Sequence, residues 1–282
     1  MAIQEDHFMI MCIIRGSVVN CIVIGKGRAG SARVRTIQEN RQCVLVRHVS
    51  GRDFHRPQEA NRSLYFICTE NKKHYGMAKT ILESGHHVVV EFPPCTTQEE
   101  WDFLESLAIE RGLILHCGLI GLYSRSHKHR KQWLERHSAQ EICVDFSGGL
   151  YRWVQEEADV HHIPQLSFGR IVAIWDLVGP LIASEVQLEK NAHSYTFILH
   201  AKGKNGEKVV LREQREKERK RDTVWRMTGA KGETYQPQKR IKEDLFGIDL
   251  DRVLQNISSD VRISDILGFL DTVHVMTYGT EI

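Results

Sequence analysis

The chain has 282 residues, 41% of them hydrophobic and 26% charged, with a formal net charge of +2. That length accommodates two domains of ordinary size, and the composition describes a globular protein able to bury a core. The near balance of charge excludes the basic footprint of a nucleic-acid binder, and no apolar run reaches the roughly 18 residues of a membrane span.

Residues 1–17 read as an N-terminal extension. Met9 to Ile14 has the apolarity of a signal-peptide core, but Glu5 and Asp6 stand where a basic region belongs. The β-branched run 18–24 predicts a buried parallel strand that leads directly into Gly25-Lys26-Gly27-Arg28-Ala29-Gly30, after which 28–39 has helical character. Strands are predicted at 43–49, 64–68, 88–91 and 113–116. Helices are predicted at 72–84, stopped by Gly85, and up to Arg111, started by a capping-box pattern at Thr96 to Glu99. This alternation implies an α/β Rossmann domain with a doubly wound parallel sheet over 18–118.

Beyond 118 the rhythm changes. A helix is predicted at 126–137, a strand at 142–147, a helix at 168–178 ended by Gly179-Pro180, and strands at 183–189, 195–201 and 208–212. The last two flank the hairpin signal Asn205-Gly206. Helices near 243–256 and 264–278 close the chain. Residues 119–282 therefore read as an α+β domain with a mostly antiparallel sheet.

The glycine motif carries the chemistry because a strand precedes it and a helix follows. Gly25 permits the tight turn, Gly27 lets a pyrophosphate approach the backbone, and Gly30 lets helix and strand pack closely. The helix start offers free N–H groups and a favourable dipole, with Arg28 and Ala29 beside them and Arg28 adding a positive charge. After the second strand, Ser50 and Arg52 suit the 2′-phosphate of NADPH, while Asp53 leaves NADH open.

With these residues placed, the chain resembles the biliverdin reductase branch of the glucose–fructose oxidoreductase and inositol dehydrogenase family. The likeness runs through Gly25 to Arg33, Val49 to Arg52, Phe66 to His74 and Gly85 to Pro93, then thins after 118 and returns at Ser167 to Glu189. The wider family has Glu-Lys-Pro where this chain has Glu91-Phe92-Pro93, and an aromatic in the middle position marks the biliverdin reductase branch. The resemblance implies hydride transfer from NADPH, or NADH, to the central methine bridge of biliverdin, giving bilirubin in heme catabolism. It implies a cytoplasmic monomer or weak oligomer whose substrate is a linear tetrapyrrole. Glu91, Phe92 and Arg170 become the candidate catalytic residues, with Arg170 binding a propionate or assisting protonation of a pyrrole nitrogen. Thr69 and Glu70 become cofactor-binding candidates, as does His74 unless it serves in capping or packing.

Three departures favour the alternative of a dinucleotide- or bilin-binding regulatory protein with impaired catalysis. Phe92 replaces a tyrosine of the branch. The segment 50–64 is shorter than the matching segment of the branch and, since a whole crossover with its helix needs about 10–12 residues or more, a helix and strand beside the adenosine pocket are expected to be trimmed or missing. The acidic stretch of the branch is here His116 to Leu122, without carboxylates. A sugar or polyol dehydrogenase would need the lysine that position 92 lacks.

Seven cysteines without a CxxC pair suit reduced thiols. His127-Lys128-His129 and His161-His162 lack the partners of a zinc site, so no metal is expected. The run 212–221 interleaves glutamates with cations and reads as a solvated strand end or loop. Trp153, Trp175 and Trp225 read as packing residues.

Overall fold

A computed structural model of the chain describes residues 18–150, 154, 162–238, 241–256 and 260–279. The expected extension at 1–17, His161 and Trp153 lie outside the described residues. The chain divides into two compact units, one formed by residues up to Tyr123 with Glu243–Ile263, the other by Ser124–Lys242 with the residues from Ser264 onward.

The first unit follows the predicted alternation: β1 (Val19–Ile24), α1 (Arg28–Glu39), β2 (Cys43–Val49), β3 (Leu64–Ile67), α2 (His74–Glu83, entered through a 3-10 turn at Asn71–Lys73), β4 (His87–Val90), α3 (Gln98–Glu110) and β5 (Leu115–Cys117). All five strands are parallel, in the order β2-β1-β3-β4-β5. Strands β3 and β4 are buried at every position, as the run LYFI and the valines of HVVV require when both faces are covered, with His87 the one polar member. The α3 cap lies one residue later than the sequence pattern suggests. Thr97 Oγ1 accepts from the Glu100 N–H, and the Glu100 carboxylate returns to the Thr96 N–H and hydroxyl.

Between Val49 and Leu64 there is neither helix nor strand. Phe54 instead packs edge-on against Tyr65, and Glu59 pairs with Arg47 and accepts from the Tyr65 hydroxyl. The trimmed crossover leaves β2 as a sheet edge, with Val44 and Val46 exposed.

The division also departs from a simple cut at 118. Helix α7 (Leu245–Leu254) belongs to the first unit, where Leu250, Val253 and Leu254 join Val23, Phe66 and Val89 in one buried cluster. Each such side chain contributes about 1.5–3 kcal/mol relative to exposure, which explains why α7 packs there.

The second unit carries α4 (Arg125–Arg136), β6 (Ala139–Gly149), α5 (Ile163–Leu166), α6 (Phe168–Val178), β7 (Ile182–Lys190), β8 (Ser194–Lys202), β9 (Lys208–Glu216), β10 (Asp222–Gly229) and α8 (Ile263–Tyr278). Its sheet has the order β10-β6-β9-β8-β7, parallel only between β6 and β9. Alternate residues Tyr195, Phe197, Leu199 and Ala201 are buried, so one face of the sheet is covered.

The run 212–221, expected to be a solvated strand end or loop, is a strand end as far as Glu216, but it is not solvated throughout. Residues up to Glu216 extend β9, with Glu213 and Arg215 buried on its inner face, and β10, which the sequence analysis did not identify, follows at Asp222. The charges masked a strand whose alternation is regular, because its buried acid and base satisfy one another. No helix among the described residues is long and apolar enough to cross a membrane.

Candidate functional site

The glycine motif forms the turn from β1 into α1. Gly25 has φ +117, and a β-carbon there would lie 2.1 Å from the Cys68 carbonyl oxygen; at Gly30 it would lie 1.8 Å from the Gly25 oxygen. Both positions therefore demand glycine on steric grounds. Gly27 is different: a β-carbon meets nothing within 4 Å. It is the N-cap of α1, no side chain caps the helix, and its first turn holds no acidic group. Exposed Gly27 and Arg28 thus present an uncapped helix start with unpaired N–H groups, which fits the pyrophosphate of a dinucleotide.

The neighbouring turns are tied to this one. The Gly25 N–H donates to the Val49 carbonyl, and His48 Nε2 donates to the Gly25 carbonyl at 3.0 Å. In the turn after β2, the Ser50 hydroxyl donates to Asp53 Oδ2 at 2.6 Å, which holds that carboxylate within the turn, while Arg52 is exposed. Ser50 and Arg52 therefore stand on the β2 side of the glycine turn and Glu91 and Phe92 on the β4 side.

Glu91, Phe92 and Pro93 follow β4, with a cis peptide bond between the last two. Phe92 is 37% exposed. His74, buried, has Nδ1 2.7 Å from the Pro93 carbonyl and Nε2 3.2 Å from the Thr69 carbonyl, so it joins the turns after β3 and β4. Exposed Glu70 pairs with Lys73 at 3.1 Å, and the Thr69 hydroxyl points to Met77 Sδ at 3.8 Å.

The group that holds Glu91 belongs to none of the motifs singled out in the sequence. Arg33, on the buried stripe of α1, places Nε and a terminal nitrogen each 2.8 Å from Glu91 Oε1, and its other terminal nitrogen 2.7 Å from Asp249 Oδ2. Asp249 Oδ1 accepts from His116 Nε2 at 2.9 Å. The guanidinium also lies over the rings of Phe66 and Phe246. Burial alone would lower the Arg33 pKa, but Glu91 and Asp249 outweigh it and raise it. Burial likewise pushes Asp249 up, and His116 and Arg33 bring it below the usual carboxylate range. An arginine at a stripe position with Gly30 and Ile37 was a legible signal of buried carboxylate partners. That one of them comes from α7 was not legible. The stretch His116 to Leu122 holds no carboxylate of its own, and the one beside His116 arrives from 133 residues further along the chain.

Arg170 lies in the second unit, on α6. It is not a surface helix arginine: it is mostly buried, donates to Glu213 Oε2 and to the Leu166 carbonyl, and lies 4.1 Å from the centroid of the Phe146 ring. Glu213 also takes Arg215, the Ser167 hydroxyl and the Tyr195 hydroxyl. Burial raises the Glu213 pKa, but Arg170, Arg215 and Ser167 outweigh it and hold it at about 2. His127 is engaged with Asp176 at 2.6 Å and His129 with Tyr235, so these two histidines do not converge on one point.

A sequence model of the GFO/IDH/MocA oxidoreductase family, with an NAD-binding Rossmann fold, matches residues 55–119. Biliverdin reductase A of Mus musculus is 31% identical over 116 residues, covering 34% of this chain and 37% of that protein. Biliverdin reductase A of Homo sapiens is 28% identical over 117 residues, covering 34% and 38%. The match thus spans less than two fifths of these curated relatives. Biliverdin reductase from Synechocystis, solved with biliverdin and NADP+, superposes with a TM-score of 0.75 at 18% identity over 92% of this chain and 98% of that one. Scyllo-inositol dehydrogenase from Lactobacillus casei, solved with NAD(H) and scyllo-inositol, gives 0.68 at 12% identity over 93% and 96%. At those identities the solved structures establish the shared fold. The first unit is an NAD(P)-binding Rossmann fold, and the chain is similar in sequence to biliverdin reductase A and in fold to the oxidoreductases of the GFO/IDH/MocA family.

Proposed function

We propose that this protein is an NAD(P)H-dependent oxidoreductase of the biliverdin reductase kind, reducing the central methine bridge of a linear tetrapyrrole in the cytoplasm. The observation that carries the reading is the aromatic side chain of Phe92, half-exposed at the end of β4, where the sugar and polyol dehydrogenases of the family have lysine.

The chemistry asks for binding and orientation more than for covalent participation. A bound dinucleotide supplies the hydride. Gly27 and the start of α1 hold its pyrophosphate, with Arg28 beside them. Ser50 and Arg52 face its adenosine ribose and favour a 2′-phosphate, and Thr69 and Glu70 line its path across the end of β3. Phe92 offers a flat apolar surface to a conjugated substrate, and its position is fixed by Glu91 on one side and by the His74–Pro93 hydrogen bond on the other. Arg170 and Arg215 together exceed the single charge of Glu213, which suits Arg170 to a substrate propionate.

A second reading keeps the binding and loses the turnover. It is favoured by the missing hydroxyl at Phe92 and by the absence of helix and strand between Val49 and Leu64. Purified protein mixed with biliverdin and NADPH, followed by absorbance for bilirubin, separates the two. Turnover supports the reductase. Dinucleotide binding without turnover at micromolar protein supports the second reading.

A further inference from the structure

The chain of charges Glu91–Arg33–Asp249–His116 does more than attach α7. Its outer members lie at the carboxyl ends of adjacent strands β4 and β5, and its middle members are fully buried, Arg33 at 1% and Asp249 at 0% exposure. Arg33 uses Glu91 Oε1 twice, and no hydrogen bond to Glu91 Oε2 is seen among the described residues. Glu91 keeps 13% of its side chain exposed, directly before exposed Phe92.

The sheet order fixes which end of a dinucleotide comes here. A dinucleotide with its pyrophosphate at Gly27 and its adenosine toward β2 would extend its nicotinamide the other way, toward β3 and β4. Oxidised and reduced dinucleotides carry the same phosphates, so Lys26 and Arg28 cannot tell them apart. They differ by one positive charge on the nicotinamide ring, and only charges at the β4 end discriminate. The two carboxylates, Glu91 and Asp249, outnumber the one guanidinium between them, in surroundings where water screens poorly.

Resting on the dinucleotide reading above, we propose that Glu91, Arg33 and Asp249 form a buried charge chain that biases the site toward the oxidised dinucleotide, with Asp249 a positioning residue that sets the field without touching the cofactor. The bias favours tight retention of NADP+ after hydride transfer and makes product release sensitive to α7.

The test measures dissociation constants of NADP+ and NADPH separately, by calorimetry on the full chain, with no turnover involved. Asp249→Asn keeps the volume and removes the charge, and it should weaken NADP+ relative to NADPH by about fivefold, since each tenfold corresponds to one pKa unit of differential interaction. Glu91→Gln should shift the ratio in the same direction and at least as far, and it decides the matter if Asp249→Asn does not fold. A purely structural role would change both constants by the same factor, and an unchanged ratio in the folded variants overturns the proposal. If the unmodified protein binds neither form, the dinucleotide reading itself fails and this inference falls with it.

Discussion

Gly25 and Cys68 approach so closely that a single methyl group on Gly25 would overlap the Cys68 carbonyl, at 2.1 Å. The contact joins the ends of β1 and β3, whose pairing continues through the Cys68 N–H to the Ile24 carbonyl at 2.8 Å. Gly27, two residues on, has no such neighbour. The motif therefore contains a glycine that the fold requires and one that stands in open space, and mutation separates them.

Gly25→Ala should cost about 2–4 kcal/mol of stability, from the positive φ and the overlap together. Gly27→Val should leave the melting temperature within about 1 °C, because the backbone there has φ −76 and open space. It should nevertheless weaken NADPH binding by about a hundredfold or more, by placing a side chain where the pyrophosphate approaches. Thermal melts and dinucleotide titrations of both variants check the pair; a Gly27→Val protein that still binds NADPH normally removes the pyrophosphate assignment.

Arg33→Met should destabilise the first unit by about 3–5 kcal/mol in urea unfolding, since it takes the guanidinium from Glu91 and leaves buried Asp249 with His116 alone. The double variant Arg33→Met, Asp249→Leu should recover part of that loss, giving a coupling energy of about 1–3 kcal/mol. Additive losses would mean that the two residues do not act as a pair.

Acid should weaken the fold through His87. Its Nδ1 accepts from the Ile114 N–H at 3.0 Å, and burial, aided by Arg62 and His86, lowers its pKa to about 4. The unfolded chain binds this proton near pH 6.5 and the folded chain only near pH 4, so stability is full above 6.5 and falls as pH drops through that window. The loss approaches about 3 kcal/mol by pH 4. His87→Asn, which retains an acceptor for the Ile114 N–H, should flatten the His87 share of the slope in denaturation series from pH 7 to pH 4.

Phe92→Tyr restores a hydroxyl at a ring that is 37% exposed, so it should fold normally. If proton donation limits bilin reduction, kcat should rise about tenfold or more with KM little changed. Phe92→Ala should raise KM by removing the apolar surface. An unchanged kcat in Phe92→Tyr would assign the ring to packing alone.

The order of elements in the first unit, its parallel sheet and the glycine turn were legible in the sequence because each is a local matter. Strand runs such as HVVV, the helix caps and the demand for glycine at positions 25 and 30 follow from neighbours within a few residues. Glu91 and Phe92 were legible as a motif at the end of a strand. The tertiary structure decided what those residues touch. Arg33 could be seen to need an acid, yet only the return of α7 to the first unit brings Asp249 to it, and only the pairing of β9 with its neighbours turns the charged run containing Glu213 and Arg215 inward, onto Arg170. A buried charge constrains its partner's sign but not its place in the chain, and such partners are found by folding.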